Sequence, residues 1–118
     1  MADDTLAVLI LGGYGTFGGR LAQLLADDVR VRLLIAGRSQ AQAAAFCAAL
    51  QPGADRAPIV FDRDGDVEAQ LRRIAPAVVV DATGPFQAYG ARPYRVVEAA
   101  IALGIDYMDL ADGSDFVA

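Results

Sequence analysis

The segment Gly13-Tyr14-Gly15-Thr16-Phe17-Gly18 limits what this chain can become more than any other stretch. It is a G-x-G-x-x-G, and its weight comes from what flanks it. Before it, Leu6-Ala7-Val8-Leu9-Ile10-Leu11 is a short apolar run closed by Gly12, the pattern of a strand buried on both faces of a parallel sheet. After it the period changes. Phe17, Leu21, Leu24 and Leu25 recur at helical spacing, which predicts a helix from Thr16 to near Asp27 with those four on its buried face. In a strand–turn–helix unit the first glycine permits the tight turn, the second lets the backbone approach a pyrophosphate, and the third lets helix and sheet pack closely. The helix N-terminus then offers N–H groups to the anion. A dinucleotide suits this geometry, with Gly13, Tyr14, Gly15, Thr16, Phe17 and Gly18 as candidate contacts; the alternative is a glycine-rich turn that holds nothing. A phosphate loop of the G-x-x-x-x-G-K type is excluded, because the chain contains no lysine.

The rest of the chain continues the alternation. Val29 to Ala36 contains a second strand, Val31 to Ala36, and Ser39 with Gln42 forms an S-x-x-Q capping box. The helix it opens buries Ala43, Phe46, Cys47 and Leu50 and stops at Pro52-Gly53. Pro58 to Phe61 is a third strand, followed by a short helix from about Asp66 with Val67, Leu71 and Ile74 on one face. Ala77 to Val80 is a fourth. Pro93 suits a first helical turn, with Tyr94, Val97 and Ile101 lining one face and Gly104 closing the helix before a weaker fifth strand, Ile105 to Asp109. Strands alternating with helices of this length imply right-handed crossovers. The expected fold is therefore α/β, a Rossmann-like doubly wound parallel sheet in the order 3-2-1-4-5, in three layers, with the glycine turn at the carboxyl edge where strand order reverses.

Cofactor choice is read at the end of the second strand. NAD-binding members of this fold place an acid about 20 residues beyond the glycines. Here Ala36-Gly37-Arg38-Ser39 puts an arginine there instead. Arg38 can stack on adenine and pair with a 2′-phosphate, and Ser39 can add its hydroxyl or its N–H, so NADP is expected in preference to NAD. A solvated loop arginine is the plainer alternative, and Ser39 is already explained as a cap. Asp62, after the third strand, can reach an adenine amino group or can simply belong to a polar turn. Asp81 to Phe86 follows the fourth strand, where the nicotinamide half would rest. Thr83, Gly84, Pro85 and Phe86 are candidate contacts there, with a purely conformational turn as the alternative.

Composition removes other classes. The charge is −5 and the ten basic residues, all arginine, are scattered, so the phosphate-neutralising stripe of a nucleic-acid binder is missing. With neither histidine nor lysine, most familiar acid–base and metal chemistry is excluded, and no catalytic residue or metal ligand is assigned. A Tyr-x-x-x-Lys pair is likewise missing: Tyr89, Tyr94 and Tyr107 are followed at that spacing by Pro93, Glu98 and Ala111. The lone cysteine, Cys47, lies on an apolar helix face, where it packs rather than reacts, and it cannot form an internal disulfide. The acidic start and the lack of any apolar run near the ~20 residues that span a bilayer predict a soluble, cytoplasmic protein without membrane partners. Hydrophobic residues make up 55% of the chain and mean hydropathy is +0.36, a surplus expected to include a face built to be covered.

Four segments together resemble the N-terminal NADP-binding domain of the saccharopine dehydrogenase-like family. They are Val8 to Gly18, Ala36-Gly37-Arg38-Ser39, Ala82-Thr83-Gly84-Pro85-Phe86 and Gly104 to Asp112. The resemblance implies that residues 1–118 form one NAD(P)-binding domain holding the cofactor for hydride transfer. It also implies a covalently continuous C-terminal catalytic and substrate domain that is not in this chain. The rival reading is a non-catalytic module that senses NAD(P) occupancy, and fold alone does not separate the two.

Overall fold

The computed structural model describes residues 5–82 and 95–109. Among them strands and helices alternate without exception: β1 (Leu6–Leu11), α1 (Thr16–Leu25), β2 (Val31–Gly37), α2 (Gln40–Ala49), β3 (Asp55–Val60), α3 (Val67–Ile74), β4 (Val78–Asp81), α4 (Arg95–Leu103) and β5 (Asp106–Asp109). The strands form one parallel sheet in the order β3-β2-β1-β4-β5. β1 is the switch strand, with Leu9 opposite Leu34 of β2 on one side and Val79 of β4 on the other.

Alternate residues of the central strands feed two cores. Val8, Ile10, Leu33, Ile35 and Val80 point to the side of α1 and α2, where they meet Ala22, Ala26, Ala43 and Cys47. Leu9, Leu11, Leu34, Ala36 and Val79 point the other way, against Val67 and Leu71 of α3 and Val96 and Ala99 of α4. This two-sided burial is why the central strands are continuously apolar. The outer strands are only partly covered, and Pro58, which has no N–H for a ladder, sits in the edge strand β3.

Two predicted helix faces are corrected. In α1 the residues that go under are Gly18, Gly19 and Ala22, whereas Phe17 and Leu24 remain 58% and 72% exposed. Leu21 and Leu25 are partly buried and pack against the core beside these residues, so two of the four predicted residues keep their inward placement. A Cβ on Gly19 would lie 3.3 Å from the ring of Phe46, so this glycine lets the Phe46 side chain of α2 pack closely against α1. In α4 the buried face is Val96, Ala99 and Ala100, and Ile101 is 72% exposed. Pro93 and Tyr94 lie outside the described residues. β2 starts at Val31, where its apolar run begins, and Val31 N–H closes a turn on the carbonyl of Asp28.

Candidate functional site

The glycine turn is anchored to the end of β2: Gly12 and Gly13 N–H both donate to the carbonyl of Ala36, at 3.0 and 3.1 Å. The left-handed step of the turn is taken by Gly12, with φ 74°, one residue earlier than the motif implies. Gly18 is needed for a different reason. A Cβ there would overlap the carbonyl of Gly12, so any side chain would push α1 off the turn. The N-cap of α1 is Gly15, whose lack of a side chain leaves the helix start without a side-chain cap, and its first turn carries no acidic residue. The other two helices whose starts are described are capped, α2 by Ser39 and α3 by Asp66. The N–H groups of Thr16, Phe17 and Gly18, which an α-helix cannot bond internally, therefore face an end that no side chain of the helix closes. An anion fits that end.

Tyr14 ties the turn to the next candidate contacts. Its ring lies over Gly37, where a Cβ would collide with it, and its hydroxyl accepts a hydrogen bond from Ser39 N–H at 3.1 Å. Ser39 Oγ accepts from Gln42 N–H at 3.1 Å, so half of the predicted capping box forms, and Tyr14 takes the place of the glutamine in the other half. The Ser39 N–H is thus engaged, whereas its hydroxyl proton can still be donated to a ligand. Arg38 projects from the same turn, 72% exposed, and pairs at 2.8 Å with Asp64, also 72% exposed.

Asp62 stands in a pinned loop. Its N–H donates to Gln70 Oε1 and its carbonyl accepts from Gln70 Nε2, both at 2.8 Å, and its Oδ1 accepts from Asp64 N–H at 2.9 Å. The guanidinium of Arg95 on α4 donates to the carbonyl of Gly65 in the same loop. Thr83, Gly84, Pro85 and Phe86 lie outside the described residues, which stop at Ala82, whose N–H donates to the carbonyl of Leu11 beside the glycine turn.

A polar cluster at the carboxyl ends of β4 and β5 was not anticipated from the sequence. Asp81 is fully buried and pairs with Arg63 at 2.9 Å, and the Tyr107 hydroxyl donates to Asp81 Oδ2 at 3.3 Å and to Asp109 Oδ2 at 3.4 Å. Burial, then the charges of Asp81 and Asp109, then the hydrogen bond to Asp81 push the Tyr107 phenol far above its ordinary range, with Arg63 only partly opposing. The signal for it was present as polar residues two apart on one strand, Tyr107 and Asp109, level with the end of β4. It becomes legible only when β4 and β5 are known to be neighbours. Burial also raises the Cys47 thiol, in keeping with a packing role. No helix among the described residues is long and apolar enough to cross a membrane.

A family model described as the saccharopine dehydrogenase NADP binding domain matches residues 8–115. Among solved structures, apo histidine-tagged saccharopine dehydrogenase (L-Glu forming) from Saccharomyces cerevisiae is similar over 88% of this chain, with 23% identity and a TM-score of 0.63. A short-chain dehydrogenase/reductase from Vibrio parahaemolyticus is similar over 86% of this chain and 56% of its own, with 12% identity and a TM-score of 0.57. Such identities speak for the fold. This chain spans only 21% of the length of the yeast protein. A search of curated proteins gives no match. The family match covers both the glycine turn and the Arg38 turn, and it runs nearly the whole length of the sequence: the chain belongs to the saccharopine dehydrogenase NADP-binding domain family, whose cofactor is NADP.

Proposed function

We propose that this chain is the cofactor-holding part of an oxidoreductase, presenting NADP(H) for hydride transfer to a substrate bound by a C-terminal domain continuous with it, in the cytoplasm. The observation that carries this reading is the uncapped N-terminus of α1 behind the glycine turn, with Arg38 at the neighbouring strand end. The pyrophosphate lies on the N–H groups of Thr16, Phe17 and Gly18, with Gly13 allowing the tight turn, Gly15 the close approach of the backbone, and Tyr14 holding the two turns together. Arg38 pairs with the 2′-phosphate and stacks on adenine, the Ser39 hydroxyl adds a donor, and the Asp62 carboxylate accepts from the adenine amino group. Thr83, Gly84, Pro85 and Phe86 flank the nicotinamide. The bound cofactor supplies the hydride; this chain binds it, orients it and selects it.

Calorimetric titration with NADPH and NADH tests the assignment. A charge-assisted contact from Arg38 corresponds to a preference of roughly ten- to 150-fold for NADPH, and the exposure of the guanidinium puts the expected value toward the lower end. Arg38→Ala is expected to abolish that preference, the lost adenine stacking weakening both cofactors alike. Equal binding of the two cofactors by the unaltered protein, or an unchanged ratio in the variant, refutes Arg38 as the phosphate anchor.

A further inference from the structure

We propose that Asp64 is a specificity-determining residue for the cofactor: its carboxylate occupies the guanidinium of Arg38 where a 2′-phosphate would settle. NADP selection is then a contest between two anions for one arginine. The inference rests on the reading of Arg38 as the phosphate anchor and adds a competitor to it.

Three observations carry it. The contact itself is a direct one, Arg38 Nη2 to Asp64 Oδ2 at 2.8 Å, joining turns that are distant in sequence. That bond engages one edge of the guanidinium, and a carboxylate and a phosphate compete for the N–H donors there. The backbone beneath Asp64 is fixed. Its N–H donates to Asp62 Oδ1 at 2.9 Å, Asp62 is clamped by Gln70, and Asp66 caps the helix that follows by accepting from Ala69 N–H at 3.0 Å. The carboxylate is thus delivered to Arg38 by a braced loop. Finally, both side chains are 72% exposed, so the pair is weak enough for a phosphate to displace. A 2′-phosphate carries more charge than a carboxylate and wins the arginine, but it then lies beside a displaced Asp64 that repels it. A ribose 2′-hydroxyl meets no such repulsion and can donate to the same carboxylate. Asp64 therefore narrows the advantage that Arg38 gives to NADP.

The test uses the whole 118-residue chain and two commercial probes, 2′,5′-ADP and 5′-AMP, titrated into the unaltered protein, Asp64→Asn, Arg38→Ala and the double variant. Asparagine preserves the size of an exposed side chain, and matching circular dichroism spectra and melting temperatures verify the fold. Asp64→Asn is expected to tighten 2′,5′-ADP by about two- to fivefold, the range of an exposed ion pair, and to leave 5′-AMP unchanged or weaker. The gain is expected to shrink at high salt and to vanish in the double variant. No tightening of 2′,5′-ADP, equal tightening of both probes, or a gain that persists without Arg38 overturns the proposal. If Arg38→Ala erases the difference between probes and Asp64→Asn does nothing, only the Asp64 inference falls. If Arg38→Ala changes nothing, the phosphate-anchor reading falls and takes Asp64 with it.

Discussion

Tyr107 holds its phenol between two carboxylates, and a phenol so placed stays neutral beyond the pH at which it would ionise in an unfolded chain. An unfolded tyrosine loses its proton near pH 10. Above that pH the folded protein binds more protons than the unfolded one, so stability falls as pH rises; below it the contribution is fully present. Urea unfolding across pH 9 to 11 is expected to show this decline, at most about 1.4 kcal/mol per pH unit, and Tyr107→Phe is expected to flatten it. Identical slopes for the two proteins would show that the phenol carries none of it. Asp81 is the other half of this arrangement, a fully buried carboxylate whose pairing with Arg63 offsets the cost of desolvating it. Neither Arg63 nor Gln70 was legible in the sequence, because each acts on a partner brought close only by the topology. The placement of Arg38 and the glycines was legible because it is local: a turn, a strand end and their spacing.

At the level of elements, most starts and stops follow from their own residues. Ser39 and Asp66 cap α2 and α3 as their positions before apolar runs suggest, and Pro52-Gly53 lies just past the end of α2. What the period alone could not give was which face of α1 and α4 goes down. An apolar stripe names the residues that prefer to leave water, but packing against neighbouring elements decides which of them go under: in α1 Gly18 sits against the Gly12 carbonyl and Gly19 against the Phe46 ring, with Leu21 and Leu25 partly buried beside them. One local rule is broken outright. α3 ends on Ala75 in the left-handed region, with φ 54° and ψ 51°, where glycine is the usual occupant. The Cβ costs about 1–2 kcal/mol there, and a glycine returns about 0.4–1 kcal/mol through the entropy of the unfolded chain. Ala75→Gly is thus expected to stabilise the protein by about 0.5–1 kcal/mol, visible as a rise in melting temperature. A lower melting temperature would mean that the αL strain is already relieved by its surroundings.

In the molecule as a whole, the hydrophobic surplus of the composition has two destinations. Most of it fills a core on each face of the sheet, which a parallel sheet with helices on both sides requires. The remainder stays on the outside, in Phe17 and Leu24 along one flank of α1, Ile101 on α4 and Met108 on the edge strand β5. The order β3-β2-β1-β4-β5 carries a further consequence. β1 meets β2 after a single crossover, but it meets β4 only after α1, β2, α2, β3 and α3 have been laid down between them. Closing the longer loop costs more chain entropy, so the β1–β4 pairing has the less favourable balance of the two. It is the seam along which the sheet is expected to open first, separating a three-strand unit from a two-strand one. In the proposed binding mode a dinucleotide lies across the top of that seam, touches both units and acts as a staple. Saturating NADPH is accordingly expected to slow amide hydrogen exchange in Val78 to Asp81 more than in Arg32 to Ile35. Equal slowing in both strands would indicate that the sheet opens as one piece.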